Sequence, residues 1–153
     1  MPIALSTLLK KEHVDLALEA GTRAEALRKI ADLLAANGQI DHPKKFLEEV
    51  EARELSASTL TESGVAFPHA RTELVDQIVL GIGRSAAGIP WNDAGDPVHL
   101  IFLIGVPLKM LSDYLVVIGA IARVTKDNAL RTLLLHAENA DEFIETMLAA
   151  PSL

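Results

Sequence analysis

Apolar residues recur at helical spacing in the first third of the chain. Thr22 and Glu25 match a capping box, which is typical of a helix start, and Gly38 predicts the helix end. The apolar positions between them lie three or four residues apart: Leu27, Ile30, Ala31 and Leu34. Before this helix, the alternating residues 14–18 predict a strand.

A second helix is predicted to start near Pro43. Phe46, Val50 and Arg53 are separated by four and then three positions, so they share one face of this helix. The polar, turn-rich residues 56–64 follow it. An arginine on an apolar helix face needs either an anionic partner or an exit to water.

The middle of the chain predicts strands. Three apolar runs have this character: residues 64–69, which end on a histidine, residues 77–83 and residues 98–106. The third run is apolar almost without interruption, which indicates a strand buried on both faces. Residues 88–93 predict a loop, because glycine, proline, asparagine and aspartate cluster there.

Three helices are predicted in the remainder of the chain. The inner face of the first consists of Leu111, Tyr114, Leu115, Ile118 and Ala122. The second covers residues 128–136, and the third is capped by Asn139 and ends near residue 150. This order of elements predicts one α/β domain over residues 1–153, a sandwich built around a single sheet.

Composition and charge narrow the class of protein. The chain has 153 residues with a net charge of −7, and an acidic chain of this kind offers no electrostatic footprint for nucleic acid. Half of the residues are hydrophobic but only 4% are aromatic, so the core is expected to consist of Leu, Ile, Val and Ala. Because cysteine is absent, disulfides, thiolate metal sites and cysteine nucleophiles are excluded.

No segment predicts insertion into a membrane. Residues 98–122 are long and mostly apolar, but Lys109 and Asp113 lie in their middle, where each charge would cost several kcal/mol in a bilayer. Residues 1–12 lack the apolar core of a signal peptide. We therefore expect a cytoplasmic protein.

His69 is the first candidate for chemistry. An unperturbed imidazole is mostly neutral at pH 7, so it could accept a phosphoryl group, act as a general base or bind a metal. It could equally be a structural histidine that is hydrogen-bonded to the backbone. Arg53 could bind an oxyanion through its planar fork, or it could pair with Glu54 or Glu62.

Two hydroxyl residues have two interpretations each, and a third has an ordinary structural one. Ser58 and Thr59 lie between Arg53 and His69 and could donate to phosphate oxygens, or they could serve only in a turn. Tyr114 could be an ordinary core tyrosine with a satisfied hydroxyl.

Two other patterns are weaker. Residues 81–86 match the dinucleotide fingerprint GxGxxA, but Gly88 and Pro90 follow too closely for the helix that this fingerprint requires. The five histidines are scattered at positions 13, 42, 69, 99 and 136, and none has the spacing of a helical zinc site. We expect neither a metal nor a cofactor.

Residues 53–70 resemble the active-site signature of enzyme IIA domains of the fructose–mannitol type. These domains belong to the bacterial phosphoenolpyruvate-dependent phosphotransferase system, and nitrogen-regulatory IIA proteins carry the same domain. The matching features are an Arg-Glu pair, a Ser-Thr pair, a glycine, an apolar run and Pro-His with a small residue behind it. The interval of 16 positions from Arg53 to His69 also agrees, and the resemblance extends over nearly the whole chain.

The resemblance implies a mixed sheet flanked by helices. It implies that His69 accepts a phosphoryl group on Nε2 from an HPr-like carrier, with Arg53, Ser58 and Thr59 as phosphate ligands. The group would then pass to a IIB domain for sugar uptake, near a membrane transporter, or its level would serve as a regulatory signal.

The chain departs from the family pattern at two places. The family usually has a second histidine near the phosphohistidine, and the corresponding position here is Tyr114, which could bind phosphate but cannot carry positive charge at pH 7. A Gly-Ile-Gly before the apolar run is replaced by residues 60–63. A regulatory binding module without efficient phosphotransfer is therefore the alternative to a phosphocarrier.

Overall fold

A computed structural model of the chain describes residues 4–149, in which helices cover both faces of a five-stranded sheet. The strands are β1 (Val14–Asp15), β2 (Val65–Ala66), β3 (His69–Thr72), β4 (Val79–Pro90) and β5 (Pro97–Pro107). The helices are α1 (Leu5–Leu8), α2 (Arg23–Ala36), α3 (Pro43–Ser56), α4 (Leu111–Lys126), α5 (Asn128–His136) and α6 (Ala140–Leu148). A short 3₁₀ turn, Lys11–His13, precedes β1.

The sheet is mixed, as the resemblance implies. β4 and β5 form an antiparallel hairpin, and β1 pairs in parallel with the outer edge of β4. β2 and β3 pair in parallel with the other edge of β5, one after the other. Between them, Pro68 has no N–H for the ladder, although its carbonyl still accepts a hydrogen bond from Ile104 N–H at 3.0 Å. The proline therefore divides one predicted strand into two.

The hairpin extends further than the sequence predicts. β4 includes Gly88, Ile89 and Pro90, which were expected in a loop, and Ile89 pairs with Val98. Gly88 lies within the register shift between Arg84 and Ile89, and Pro90 is the last residue of the strand, so each is tolerated. The fingerprint segment 81–86 lies wholly within β4, so no helix starts there and the dinucleotide interpretation is wrong.

Two glycines of β4 let α2 lie close to the sheet. A Cβ on Gly81 would be 2.6 Å from Ile30 Cγ2, and a Cβ on Gly83 would be 2.8 Å from Ile30 Cδ1. Neither glycine has a positive φ, so their role is space rather than conformation. Close packing of the sheet against α2 therefore explains the two glycines of the GxG pattern in this chain.

We expect Gly81→Ala to lower the free energy of unfolding by about 2 kcal/mol, because the added methyl group overpacks the contact with α2. Urea unfolding would measure this change. Gly21→Ala is the matched control, since no atom lies within 4 Å of its Cβ position and its effect should stay within about 0.5 kcal/mol. Equal stability of the Gly81 variant and the wild type would contradict the packing explanation.

Alternate residues of β5 belong to two hydrophobic layers. Ile101 and Leu103 pack with α2 and α3, whereas Leu100, Phe102 and Ile104 pack on the side of α4, α5 and α6. Every residue of β5 except Pro97 and His99 is buried. The prediction of a strand buried on both faces is confirmed.

The buried face of α4 differs from the predicted one. Val117, Ile121 and Val124 are buried, whereas Leu111 and Leu115 are 42% and 58% exposed. Periodicity could not choose between these faces, because four consecutive apolar residues, 115–118, are equally compatible with both. Leu111 and Leu115 are therefore surface residues at the start of the helix.

The other boundaries follow the sequence closely. Thr22 caps α2 as predicted, with its hydroxyl accepting from Glu25 N–H at 3.1 Å. β1 covers only two of the five residues predicted as a strand, and α6 ends at Leu148. Within residues 4–149, no helix is both long and apolar enough to cross a membrane.

Candidate functional site

His69 is the first residue of β3, not the last residue of a strand, and its side chain is half-buried. Its Nδ1 lies 2.9 Å from the carbonyl oxygen of Phe67. A carbonyl only accepts hydrogen bonds, so this contact places the ring proton on Nδ1. Nε2 is thereby left with a free lone pair, which is the condition for a nucleophile.

The environment keeps the His69 ring neutral. Burial lowers its pKa below the ordinary 6.5, and the Arg53 guanidinium lowers it further. The Phe67 carbonyl and the Glu54 carboxylate act in the opposite direction without reversing the shift. The neutral, nucleophilic form is therefore the dominant one at pH 7.

The ring of Tyr114 lies beside that of His69. The two ring centroids are 5.1 Å apart, and the planes are tilted by 31°. The phenol oxygen is 3.4 Å from Nε2, longer than a usual hydrogen bond of about 2.8 Å. Burial raises the pKa of Tyr114, against the influence of Arg53, so the phenol stays protonated at pH 7 and can donate.

Arg53 supplies the positive charge of the site. It lies in the last turn of α3, and its Nη1 donates to the carbonyl of Ala57 at 2.7 Å. Among the described residues its guanidinium forms no salt bridge, so neither Glu54 nor Glu62 neutralises it. Its charge acts on both His69 and Tyr114. A guanidinium in this position is suited to the oxygens of an anionic group.

Ser58 and Thr59 lie close to the site, but their hydroxyl groups contact a carboxylate. Ser58 Oγ donates to Glu54 Oε2 at 3.1 Å, and Thr59 Oγ1 donates to Glu54 Oε1 at 2.7 Å. Thr59 Oγ1 also accepts from Phe67 N–H at 3.0 Å. The structure therefore joins Thr59 to the segment that carries His69, whereas the Ser58 hydroxyl contacts Glu54.

Glu54 is the residue that sequence reasoning assigned no role in the site. It is only 4% exposed, and Trp91 Nε1 donates to its Oε2 at 3.0 Å. The sequence did indicate that Glu54 is buried, because this residue continues the spacing of four positions that starts with Phe46 and Val50. That spacing predicts an inward carboxylate, which needs several donors.

Exposed leucines occur in or next to the segments that carry these groups. We call the following residues the apolar rim: Leu55 after Arg53, Leu108 after β5, and Leu111 and Leu115 on either side of Tyr114. Their exposed fractions lie between 42% and 76%. Arg71 connects β3 to the rim, since its Nη2 donates to the Leu108 carbonyl at 3.2 Å. Large apolar side chains that stay exposed are candidates for contact with a partner protein.

Other histidines lack these neighbours. His99 and His136 also have Nδ1 at 2.9 Å from a backbone carbonyl, of Ser85 and Thr132 respectively. The carbonyl contact is therefore not specific to the site. The combination with Arg53 and Tyr114 distinguishes His69. In the part of the chain that the structure describes, no three His, Asp or Glu side chains are placed to hold a metal ion.

Comparisons with known proteins find relatives over nearly the whole chain. The fructose-specific EIIA component of Haloferax volcanii is 31% identical over 136 residues, which are 88% of each chain. The nitrogen regulatory protein IIA-Ntr of Neisseria meningitidis has a similar fold, with a TM-score of 0.84 and 26% identity. That match covers 94% of this chain and 98% of the other.

A third relative was solved as a complex. Enzyme IIA mannitol of Escherichia coli, bound to phosphorylated enzyme IIB mannitol, matches with a TM-score of 0.77 and 20% identity. The match covers 91% of this chain and 96% of that one. The family model for EIIA 2 of the phosphoenolpyruvate-dependent sugar phosphotransferase system matches residues 7–150. The chain therefore belongs to the EIIA 2 family of this phosphotransferase system.

Proposed function

We propose that this protein is a phosphocarrier that accepts a phosphoryl group on Nε2 of His69. The observation that carries the proposal is the neutral Nε2 of a ring whose proton is held on Nδ1, close to the Arg53 guanidinium, which has no carboxylate partner among residues 4–149. Phosphoryl transfer asks mainly for positioning and for neutralisation of oxygen charge, and this site offers both.

In the proposed step, the Nε2 lone pair attacks the phosphorus of a phosphohistidine on an HPr-like carrier. The new P–Nε2 bond forms as the donor's P–N bond breaks, and the electron pair of that bond returns to the donor imidazole. His69 keeps its Nδ1 proton and becomes positively charged, so its bond to the Phe67 carbonyl becomes charge-assisted. The transfer requires no cofactor.

Arg53 has the main role in binding the phosphoryl oxygens. Its guanidinium can offer two parallel donors, which match two oxygens of one phosphoryl group. The Tyr114 hydroxyl would donate a further hydrogen bond after a small shift from its present distance of 3.4 Å to Nε2. For Ser58 and Thr59 we propose direct phosphate contact only if their hydroxyls turn away from Glu54.

The apolar rim would receive the partner proteins. An acceptor histidine must approach the phosphorus in line, so the partner has to cover the surface around His69. Exposed Leu55, Leu108 and Leu115 provide apolar contact for such a partner. We propose an HPr-like protein as the donor and a IIB domain as the acceptor, as in the solved complex of the mannitol relative. This exchange would take place in the cytoplasm.

Regulation is the second candidate role. Tyr114 stands where the family usually has a histidine, and a phenol cannot balance phosphoryl charge as an imidazolium can. Onward transfer would then be slower than acceptance, and the phosphorylated form would persist as a signal. Slow transfer to every IIB domain, together with a partner that distinguishes the two forms, would favour this role.

The proposed function is tested by incubation with phosphoenolpyruvate, enzyme I and an HPr protein. We expect one phosphate per chain, labile in acid and stable in base, as a phosphohistidine is. Omission of the HPr protein is the control and should prevent labelling. No label under conditions that fully phosphorylate a known EIIA protein would overturn the proposal and favour a binding module.

The lowered pKa of His69 predicts a pH dependence. Nε2 loses its lone pair when the ring is protonated, and burial places that protonation below pH 6.5. We therefore expect the initial rate of acceptance to be level near pH 7 and to fall only below pH 6.5. An NMR titration of His69 would give the same midpoint. A midpoint above 6.5 in the NMR titration would contradict the role of burial.

A further inference from the structure

The carboxylate of Glu54 joins three segments of the chain beside His69. It accepts hydrogen bonds from Trp91 Nε1 at 3.0 Å, Ser58 Oγ at 3.1 Å, Thr59 N at 2.8 Å and Thr59 Oγ1 at 2.7 Å. No cation forms a salt bridge with it among the described residues. Four donors thus stabilise a nearly fully buried charge.

The Thr59 hydroxyl connects the Glu54 carboxylate to the backbone of Phe67 by hydrogen bonds. An ionised carboxylate only accepts, so Thr59 Oγ1 must direct its proton toward Glu54. Its lone pair is then free to accept from Phe67 N–H at 3.0 Å. A hydroxyl that pointed its proton elsewhere would be less well oriented for this bond.

The Phe67 backbone in turn holds the His69 ring. Phe67 precedes a proline, which already favours an extended backbone at this residue. The bond from its N–H to Thr59 and the bond from His69 Nδ1 to its carbonyl constrain it on both sides. A continuous chain of hydrogen bonds therefore runs from the Glu54 carboxylate through Thr59 and the Phe67 backbone to His69 Nδ1.

We propose that Glu54 is a positioning residue, which keeps the proton of His69 on Nδ1 through Thr59 and the Phe67 backbone. The kinetic consequence rests on the proposed phosphocarrier function. If the proton moved to Nε2, the atom proposed to attack phosphorus would have no lone pair, although the ring would remain neutral. Glu54 acts through other groups and does not contact the phosphoryl group.

Thr59→Val is the primary test, because it removes the hydroxyl at nearly constant volume. Two-bond ¹H–¹⁵N NMR spectra of the unphosphorylated protein report which ring nitrogen carries the proton. We expect the wild type to show Nδ1–H only, and the variant to show a mixture with Nε2–H. Thr59→Ser is the matched control, since it keeps the hydroxyl and should keep the wild-type spectrum.

Glu54→Gln tests the carboxylate itself. An amide accepts with one oxygen and presents an NH₂ group to donors that need an acceptor. We expect a loss of Nδ1–H preference and a maximal phosphorylation rate about tenfold lower, with an unchanged KM for the HPr protein. Trp91 is the single tryptophan, so its fluorescence shows whether the buried cluster remains assembled.

The outcomes separate this proposal from the function on which it rests. A pure Nδ1–H spectrum in both Thr59→Val and Glu54→Gln would overturn the positioning role, whatever the rate of Thr59→Val, because Thr59 is also a proposed phosphate ligand. If Glu54→Gln does not fold, Thr59→Val alone decides. A wild-type protein that takes up no phosphate would refute the phosphocarrier function, whereas the NMR spectra would still report the control of the tautomer.

Discussion

His69→Ala is expected to take up no phosphate from the phosphorylated HPr protein. The substitution removes Nε2, the atom to which the phosphoryl group would bond, and no neighbouring nucleophile replaces it in the site, because Tyr114 keeps its proton at pH 7. The change should cost little stability, since the half-buried ring makes two hydrogen-bond contacts, one of them long. Labelling with radioactive phosphoenolpyruvate and a thermal unfolding curve would measure both effects.

Two of the other histidines are matched controls for this result. His99 and His136 share the contact between Nδ1 and a backbone carbonyl but not the neighbouring guanidinium and phenol. Replacement of either by alanine should therefore leave the stoichiometry of labelling unchanged. If His69→Ala kept the label while one of these variants lost it, the phosphorylated residue would be that histidine instead.

Arg53→Ala is expected to slow phosphate uptake about a hundredfold, the usual effect of removing a donor from a developing anion. The structural cost should be about 1 kcal/mol or less, because the side chain makes one hydrogen bond, to Ala57, at the exposed end of α3. Stopped-flow measurement of acceptance and urea unfolding would separate the two quantities. A loss of rate that far exceeds the loss of stability would support the role of Arg53 in binding the phosphoryl group.

Arg53→Lys is the control that separates charge from geometry. It keeps the positive charge but loses the planar fork, so we expect a rate between those of the wild type and Arg53→Ala. Arg71→Ala removes a second arginine, whose guanidinium contacts the Leu108 carbonyl in the rim. It should change the KM for the HPr protein more than the maximal rate. A loss of stability as large as the loss of rate in Arg53→Ala would indicate a structural role.

Sequence reasoning located the fold class and most elements because their signals are local. The cap at Thr22, the apolar spacing in α2 and the continuous apolar run of β5 depend on neighbouring residues alone. The family signature over residues 53–70 likewise needs only residue order. The mixed sheet flanked by helices, which that signature implies, is confirmed by the structure.

The failures have a common physical cause. The inner face of α4, the length of β4 and the end of the strand before His69 all depend on what packs against them. Residues 115–118 are apolar on every side of the helix, so only the contacts with the sheet determine that Leu115 is exposed. The packing of α2 explains why Gly81 and Gly83 occur in a strand.

The same distinction between local sequence signals and tertiary contacts applies to the candidate site. The sequence by itself determined which residues are candidates. His69, Arg53, Ser58 and Thr59 match a known pattern in type and spacing, and Tyr114 occupies a position where that pattern usually has a histidine. Only the tertiary structure decided that Nδ1 faces the Phe67 carbonyl, that both hydroxyls face Glu54, and that Arg53 has no carboxylate partner in the described residues. The groups in these contacts are close in the chain, but residue order alone does not fix which way a side chain turns. The orientation of Glu54 depends on its burial and on the hydrogen bond at 3.0 Å from Trp91 Nε1, 37 positions away.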